Sequence, residues 1–227
     1  MFLNKKHEVI LFKFEQPIPY LQAWGWQNEW QEHLITNQDA PEAIWFLQHP
    51  PCYTVGRNSN LNLLHFNVSI PPEPLYRINR GGEVTYHGYG QLMIYLVINL
   101  QRHRIDLHLY IRTLEQTIID TLACLNVTAH RVHGLTGVWI QNQKVAAIGV
   151  GIRRWITQHG IALNIKCNLS SFQSITPCGL MIQSVGELDE WIPTVNLTEI
   201  QNLLQYQLTR NLCFNFRHPT LDETFRK

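Results

Sequence analysis

Strand-like segments outnumber helical stripes in this sequence, and the two kinds do not alternate regularly. Regular alternation would predict a parallel sheet with crossover helices. Its absence predicts an α+β domain, a mixed and mostly antiparallel sheet flanked by helices on one side. Strands are expected from Glu8 to Phe14, from Ala43 to His49, from Cys52 to Arg57, and in the apolar run LMIYLVINL that ends at Leu100. Further strands are expected near Thr136 to Gln141, Lys144 to Ile152 and Ile161 to Lys166, with Asn142 and Gln143 forming a tight hairpin connection. A helix is expected from about Tyr20 to Leu34. Another runs from Asp106, a fitting N-cap, to Asn126, because Leu107, Ile111, Leu114, Ile118, Leu122 and Leu125 recur at spacings of three and four. A last stripe joins Leu197, Ile200, Leu204, Leu208 and Leu212, where Thr198 and Gln201 fit a capping box. The polar, proline-containing stretch from Asn58 to Arg77 reads as a long loop, a class often used for binding.

A length of 227 residues suits one domain, with residues from about 191 onward as a C-terminal helical appendage. Hydrophobic residues make up 45% and charged residues 15%, enough for a substantial core. The formal net charge of +1 gives no electrostatic case for bulk nucleic-acid binding. Two local basic clusters, Arg102–His103–Arg104 and Arg153–Arg154, are either solvated surface or a docking patch for an acidic partner. No apolar run approaches the roughly 20 residues needed to span a bilayer, so no membrane partner is expected. The start of the chain lacks signal- and transit-peptide character, which predicts a cytoplasmic location.

Five cysteines occur, at 52, 124, 167, 178 and 213, with neither disulfide-framework nor zinc-site spacing. Four have apolar neighbours and read as small core residues. Cys178 lies between Pro177 and Gly179 in a loop. His130 and His133 have an HxxH spacing without further matching ligands, so no metal is expected.

Three segments could carry chemistry. The loop from Arg80 to Gln91 holds four glycines and can bring backbone N–H groups close to a ligand, with Arg80 and His87 supplying charge or hydrogen bonds. It is not a P-loop, and a strand rather than a helix follows it. The segment from Lys144 to Ile165 opens on a lysine at the edge of a buried surface. Ala146, Ala147, Gly149 and Gly151 then thin one wall, which suits a slot for an extended apolar ligand. The segment from Ser174 to Leu180 presents Cys178, a nucleophile only if a neighbour lowers its pKa or takes its proton. Each has a plain alternative: a tight turn, a solvent-facing hairpin lysine and an inert loop thiol.

Together the three segments resemble the lipoyl(octanoyl) transferase family, of the biotin and lipoate protein ligase fold group. The matching motifs are RGGEVTYHGYGQ (Arg80 to Gln91), the stretch from Lys144 to Asn164 ending HGIALN, and Pro177–Cys178–Gly179. QHPPCYTVGR and GLTGVWI are weaker matches, and the resemblance covers roughly residues 8 to 190. Tyr89 departs from it, since the family usually has proline between the two glycines. The resemblance implies that Cys178 is acylated and that Lys144 handles its proton. It also implies an acyl site lined by Arg80, Gly81, Gly82, Glu83, Val84, Thr85, Tyr86 and His87, by Ala147, Ile148 and Gly149, and by Gly160, Ile161 and Ala162. His87 and His159 are polar contacts near the reacting thioester or structural histidines. The implied reaction moves an octanoyl group from octanoyl-acyl carrier protein to a lysine of lipoyl domains. Those domains belong to 2-oxoacid dehydrogenase E2 subunits and the glycine cleavage H protein. No cofactor is required. An ATP-dependent lipoate-protein ligase and a non-catalytic acyl-binding module are the alternatives. A papain-like hydrolase is disfavoured by the lateness of the cysteine.

Overall fold

The computed structural model describes residues 7–177, 184–220 and 223. The chain begins with strand β1 (His7–Lys13), helix α1 (Tyr20–Thr36) and strands β2 (Glu42–Leu47), β3 (Cys52–Val55), β4 (Leu75–Arg77), β5 (Thr85–His87) and β6 (Gln91–Val97). A one-turn helix α2 (Leu100–His103) leads to α3 (Leu107–Ala123). Strands β7 (Val138–Ile140), β8 (Gln143–Arg153), β9 (Ile156–Asn164) and β10 (Ser184–Val185) precede α4 (Leu197–Asn211) and β11 (Phe214–Arg217).

The main sheet runs β10-β8-β9-β6-β2-β1-β11, with β7 paired to β8, and β4-β3-β5 form a small second sheet. The β2·β6, β6·β9, β8·β9 and β7·β8 pairs are antiparallel; β1 pairs in parallel with β2 and β11, and β10 with β8. This is the expected mixed, mostly antiparallel α+β architecture.

The helices, however, cover both faces of the sheet rather than one. Successive strand residues point to opposite faces. One set, including Val9, Leu11, Ile44, Phe46, Leu92, Ile94 and Leu96, packs beneath α3 and α4 through Leu114, Ile118, Ile200 and Leu204. The alternate set, Ile10, Phe12, Trp45, Leu47, Met93 and Tyr95, packs against Trp26, Trp30 and Leu34 of α1. Every β2 and β6 residue is therefore buried, so these strands read as continuous apolar runs and hide the period-two signal that reports a second covered face.

The residues after 191 do not stand apart. Ile200, Leu204, Leu208 and Phe214 are fully buried in the larger core, and β11 extends the sheet beside β1.

Local chemistry corrects several boundaries. Asp106 caps α3 as expected, its carboxylate accepting from the Leu109 N–H at 2.7 Å. The cap of α4 is Asn196, whose Oδ1 accepts from Thr198 N at 2.8 Å, so the Thr198–Gln201 capping box is not formed. In the β7–β8 hairpin Ile140 pairs with Gln143, which makes Gln141 and Asn142 the turn rather than Asn142 and Gln143. Strand β9 begins at Ile156, five residues earlier than expected. Of the cysteines expected in the core, only Cys52 is buried; Cys124 is exposed, and Cys167 and Cys213 are half-buried. Arg102 and His103 turn inward, toward the fully buried Glu42, with His103 Nε2 2.7 Å from its carboxylate.

Candidate active site

The loop from 80 to 91 is held by its glycines where close approach demands them. A side chain at Gly56 would fall 1.9 Å from the Gly82 carbonyl oxygen, so the end of β3 and the loop can meet only without a Cβ. At Gly149 a Cβ would crowd Arg80 Cδ and the Gly81 carbonyl at 3.0 and 3.2 Å, while the Gly81 N–H donates to the Val150 carbonyl at 3.0 Å. The loop thus lies directly on β8. Tyr89, the departure from the family pattern, is 57% exposed. The turn is made beside it by Gly90 at φ +81°, whose N–H donates to Gln48 Oε1 at 2.8 Å. Gly90's carbonyl accepts from Ile165 and Lys166. The loop is anchored at that point without proline.

Loop, β8 and β9 enclose a pocket of about 250 Å³. Arg80, Gly82, Glu83, Val84, Thr85 and His87 line it from the loop, Lys144, Ala147, Ile148 and Gly149 from β8, and Gly160, Ile161 and Ala162 from β9. Segments up to 80 residues apart in sequence therefore meet at one cavity. Two expected lining residues do not reach it. Gly81 borders the neighbouring polar groove, and Tyr86 turns away into a small core with Tyr53, Val84 and Phe172. The alternation of β5 explains this, since His87 takes the opposite face.

Sequence reading missed Tyr20, Met93, Tyr95 and the Gly134–Leu135–Thr136 turn as walls of the pocket. Tyr20, Met93 and Tyr95 belong to elements with a core pattern. The turn was flagged only as part of GLTGVWI, without a role.

Lys144 sits half-buried, its Nζ 5.1 Å from the centre of the Trp139 ring. Gly137 gives it room: a Cβ there would lie 2.5 Å from Lys144 Cε. The turn is fixed from behind by Glu115, fully buried on α3. One carboxylate oxygen accepts from Gly137 N at 3.0 Å; the other accepts from Arg112 at 2.7 Å and Arg131 at 2.8 Å. Cys178 lies outside the described residues. Beyond it, β10 is paired in parallel with Gln143–Lys144, and Gly186 N donates to the Lys144 carbonyl at 3.1 Å.

A hydrogen-bond chain ties the loop to that strand and dictates the proton positions. The Arg80 guanidinium, with only 9% of the residue exposed, donates to the Thr54 carbonyl at 2.9 Å and its hydroxyl at 3.0 Å. The hydroxyl therefore donates onward to His87 Nε2, 3.0 Å away. Gln91 gives its N–H groups to Tyr86 and Asn164, so its oxygen accepts from His87 Nδ1 at 2.8 Å. His87 is thus neutral, with the proton on Nδ1. Burial, reinforced by His49, holds its pKa well below the usual histidine value. With both nitrogens engaged it is a positioning group. Asn164 completes the chain by donating to the Gly186 carbonyl at 3.0 Å.

His159 is arranged differently. Asn79 gives its amide N–H to Gln158, so its oxygen accepts from His159 Nε2 at 2.9 Å. Nδ1 is left as a buried acceptor with no hydrogen-bond partner among the described residues. Burial, with Arg80 nearby, lowers the pKa to about 3, so the ring stays neutral. Its backbone, at φ +63°, lies in the left-handed region beside Gly160.

Residues 19–209 match the family model described as the lipoyl protein ligase A/B catalytic domain. The chain belongs to that family. Among curated relatives it is 54% identical over 199 residues to an octanoyltransferase of Synechococcus sp. strain WH7803, covering 86% of this chain and 81% of that one. It is 50% identical over 205 residues to an octanoyltransferase of Prochlorococcus marinus strain MIT 9313, covering 90% and 84%. Among solved structures, lipoate-protein ligase A bound with ATP superposes with a TM-score of 0.71 at 15% identity, covering 97% and 92% of the two chains. A bi-partite lipoate protein ligase from Thermoplasma acidophilum gives 0.69 at 15%, covering 97% and 89%. At that identity the structures establish the fold.

Proposed function

We propose that this chain is an octanoyltransferase that works through an acyl-enzyme thioester on Cys178. The donor is an octanoyl-acyl carrier protein, and the acceptor is a lysine of lipoyl domains, those of 2-oxoacid dehydrogenase E2 subunits and the glycine cleavage H protein. The carrying observation is that Lys144 opens onto a pocket whose β8 and β9 walls are thinned to Ala147, Ile148, Gly149, Gly160, Ile161 and Ala162, with Val84, Met93 and Leu135 adding apolar surface. Such a slot suits an unbranched acyl chain, with the Lys144 amine beside it to move protons.

In the first half-reaction the Cys178 thiolate attacks the thioester carbonyl. The bond to the carrier's sulfur breaks, and that thiolate takes a proton from the Lys144 ammonium. In the second, the acceptor amine attacks the acyl-enzyme and gives its proton to Lys144 while Cys178 leaves as thiolate. Both groups end as they began. A lysine ammonium beside a thiolate stabilises it electrostatically, so no cysteine–histidine dyad is needed. This fits a neutral His87 with both nitrogens already bonded. Thioester exchange is near thermoneutral and amide formation from a thioester is downhill, so ATP has no part.

The buried lone pair of His159 Nδ1, without a partner among the described residues, can accept a hydrogen bond from the incoming amine in the second half-reaction. A ligase on the same fold would instead depend on ATP. Assaying octanoylation of a lipoyl domain from an octanoyl thioester, with ATP omitted and apyrase added, separates the two. Full turnover supports the transferase; strict ATP dependence overturns it.

A further inference from the structure

The two-residue turn joining β8 to β9 breaks the chemistry its geometry demands. Arg153 pairs with Ile156, leaving Arg154 at φ +48° and Trp155 at φ +68° as its central residues. Positive φ at both is the turn normally filled by Asn-Gly, because side chains with a Cβ are strained there. Here it holds two large side chains, and Trp155 is 46% exposed. Strained backbone of this kind clusters at functional sites and ligand contacts. The turn is fixed in place, since Leu100 N donates to the Trp155 carbonyl at 3.0 Å.

The surface around it leads to the pocket. Ile152, 37% exposed, borders both a shallow hollow beside Trp155 and the polar groove lined by Arg57, Asn79 and Arg80. That groove in turn shares Arg80, Gly82 and Glu83 with the acyl pocket. From Ile152 to Lys144, which meets the reacting thioester, is about 26 Å along β8, which an extended arm and the lysine side chain span between them. Arg57, Arg77 and Arg154 are exposed and form no ion pair among the described residues. Arg153 is paired with Glu32. Two carboxylates face the same surface, Glu83 in the groove and Asp106 in the hollow, against the four cations Arg57, Arg77, Arg80 and Arg154, so the balance is positive.

We infer that the Arg154–Trp155 turn is the docking point for the acyl donor, an acidic carrier domain. Its phosphate-bearing thiol arm lies along the Arg57 groove into the pocket. This rests on the thioester-donor reading above. The charge favours donor over acceptor, because the net positive balance of this surface disfavours an approaching lysine ammonium and attracts a phosphate, with the exposed Arg57 at the groove to meet it. Tryptophan and arginine are also the residues that most often dominate binding at an interface.

The test replaces the turn by its preferred residues, R154N/W155G, which should raise the melting temperature. KM for octanoyl-carrier protein should rise about tenfold or more. Turnover of octanoyl-N-acetylcysteamine, which has neither carrier nor phosphate, should be unchanged, as should KM for the lipoyl domain. An unchanged KM for the carrier, an equal loss with both donors, or a rise in KM confined to the lipoyl domain would each overturn the assignment. If the unmodified enzyme took octanoate from neither donor, the transferase reading itself would fall.

Discussion

At the residue scale the proposed mechanism assigns the reaction to Cys178 and Lys144 and leaves the buried histidines to position groups around them. Lys144→Ala should lower the rate of both half-reactions by at least a hundredfold, with the pocket intact by octanoate binding. His159→Gln should act on the second half-reaction alone, so single-turnover acylation of Cys178 stays normal while transfer to the lipoyl domain slows; equal slowing of both would assign His159 a purely structural part. Ala147→Leu, on the pocket wall, should lower kcat/KM for octanoyl donors about tenfold and favour shorter chains, since a pocket discriminates added methylenes by roughly 1–3 kcal/mol. An unchanged chain-length profile would remove Ala147 from the acyl slot.

At the scale of elements, Glu115 on α3 supports Lys144, the proposed proton carrier, at a distance by fixing Gly137 in the turn that gives its side chain room. Glu115→Gln keeps its size and removes the buried charge, while Arg112 and Arg131 are exposed enough to fall back on water, so the loss of charge-assisted hydrogen bonds should cost about 1–3 kcal/mol in urea unfolding. Asn196→Ala should cost about 1 kcal/mol through loss of the α4 cap, and Thr198→Ala much less; the reverse order would restore the Thr198 capping box. That cap shows where the sequence was legible and where it was not. The helix was written in its leucine spacing, but its first residue depended on which of two adjacent polar side chains reached the free N–H groups. Likewise the catalytic loop and β8 could be read from their glycines and small residues. The burial of α1 against the second face of the sheet could not, because β2 and β6 are apolar on both faces. The Glu115 clamp was invisible because its partners, Arg131 and Gly137, lie in a turn with no periodic signal.

At the scale of the whole molecule, three buried histidines make the fold sensitive to acid. Burial lowers His49 to about 4 and His159 to about 3, and holds His87 well below the ordinary 6.5. All three stay neutral when folded and take up protons on unfolding, so their contribution is complete above about pH 6.5 and is lost as the pH falls below it, down to about 4 for His49 and about 3 for His159. Between these limits each contributes a slope of up to about 1.4 kcal/mol per pH unit. Melting temperature measured from pH 7 to 5 should fall, and His49→Gln, if folded, should flatten the curve; a flat curve for the unaltered chain would show that the three do not stay neutral. The same core makes the C-terminal segment indispensable. A chain ending at residue 190 loses Ile200, Leu204, Leu208 and Phe214, all fully buried, and should not fold. The central claim, covalent transfer through Cys178, is tested most directly by intact-mass spectrometry after mixing the enzyme with octanoyl-carrier protein and no acceptor. The expected result is a gain of one octanoyl group, removed by neutral hydroxylamine and by added lipoyl domain, and absent in Cys178→Ser. Normal lipoyl-domain octanoylation by folded Cys178→Ser, with no adduct on the unaltered enzyme, would contradict it.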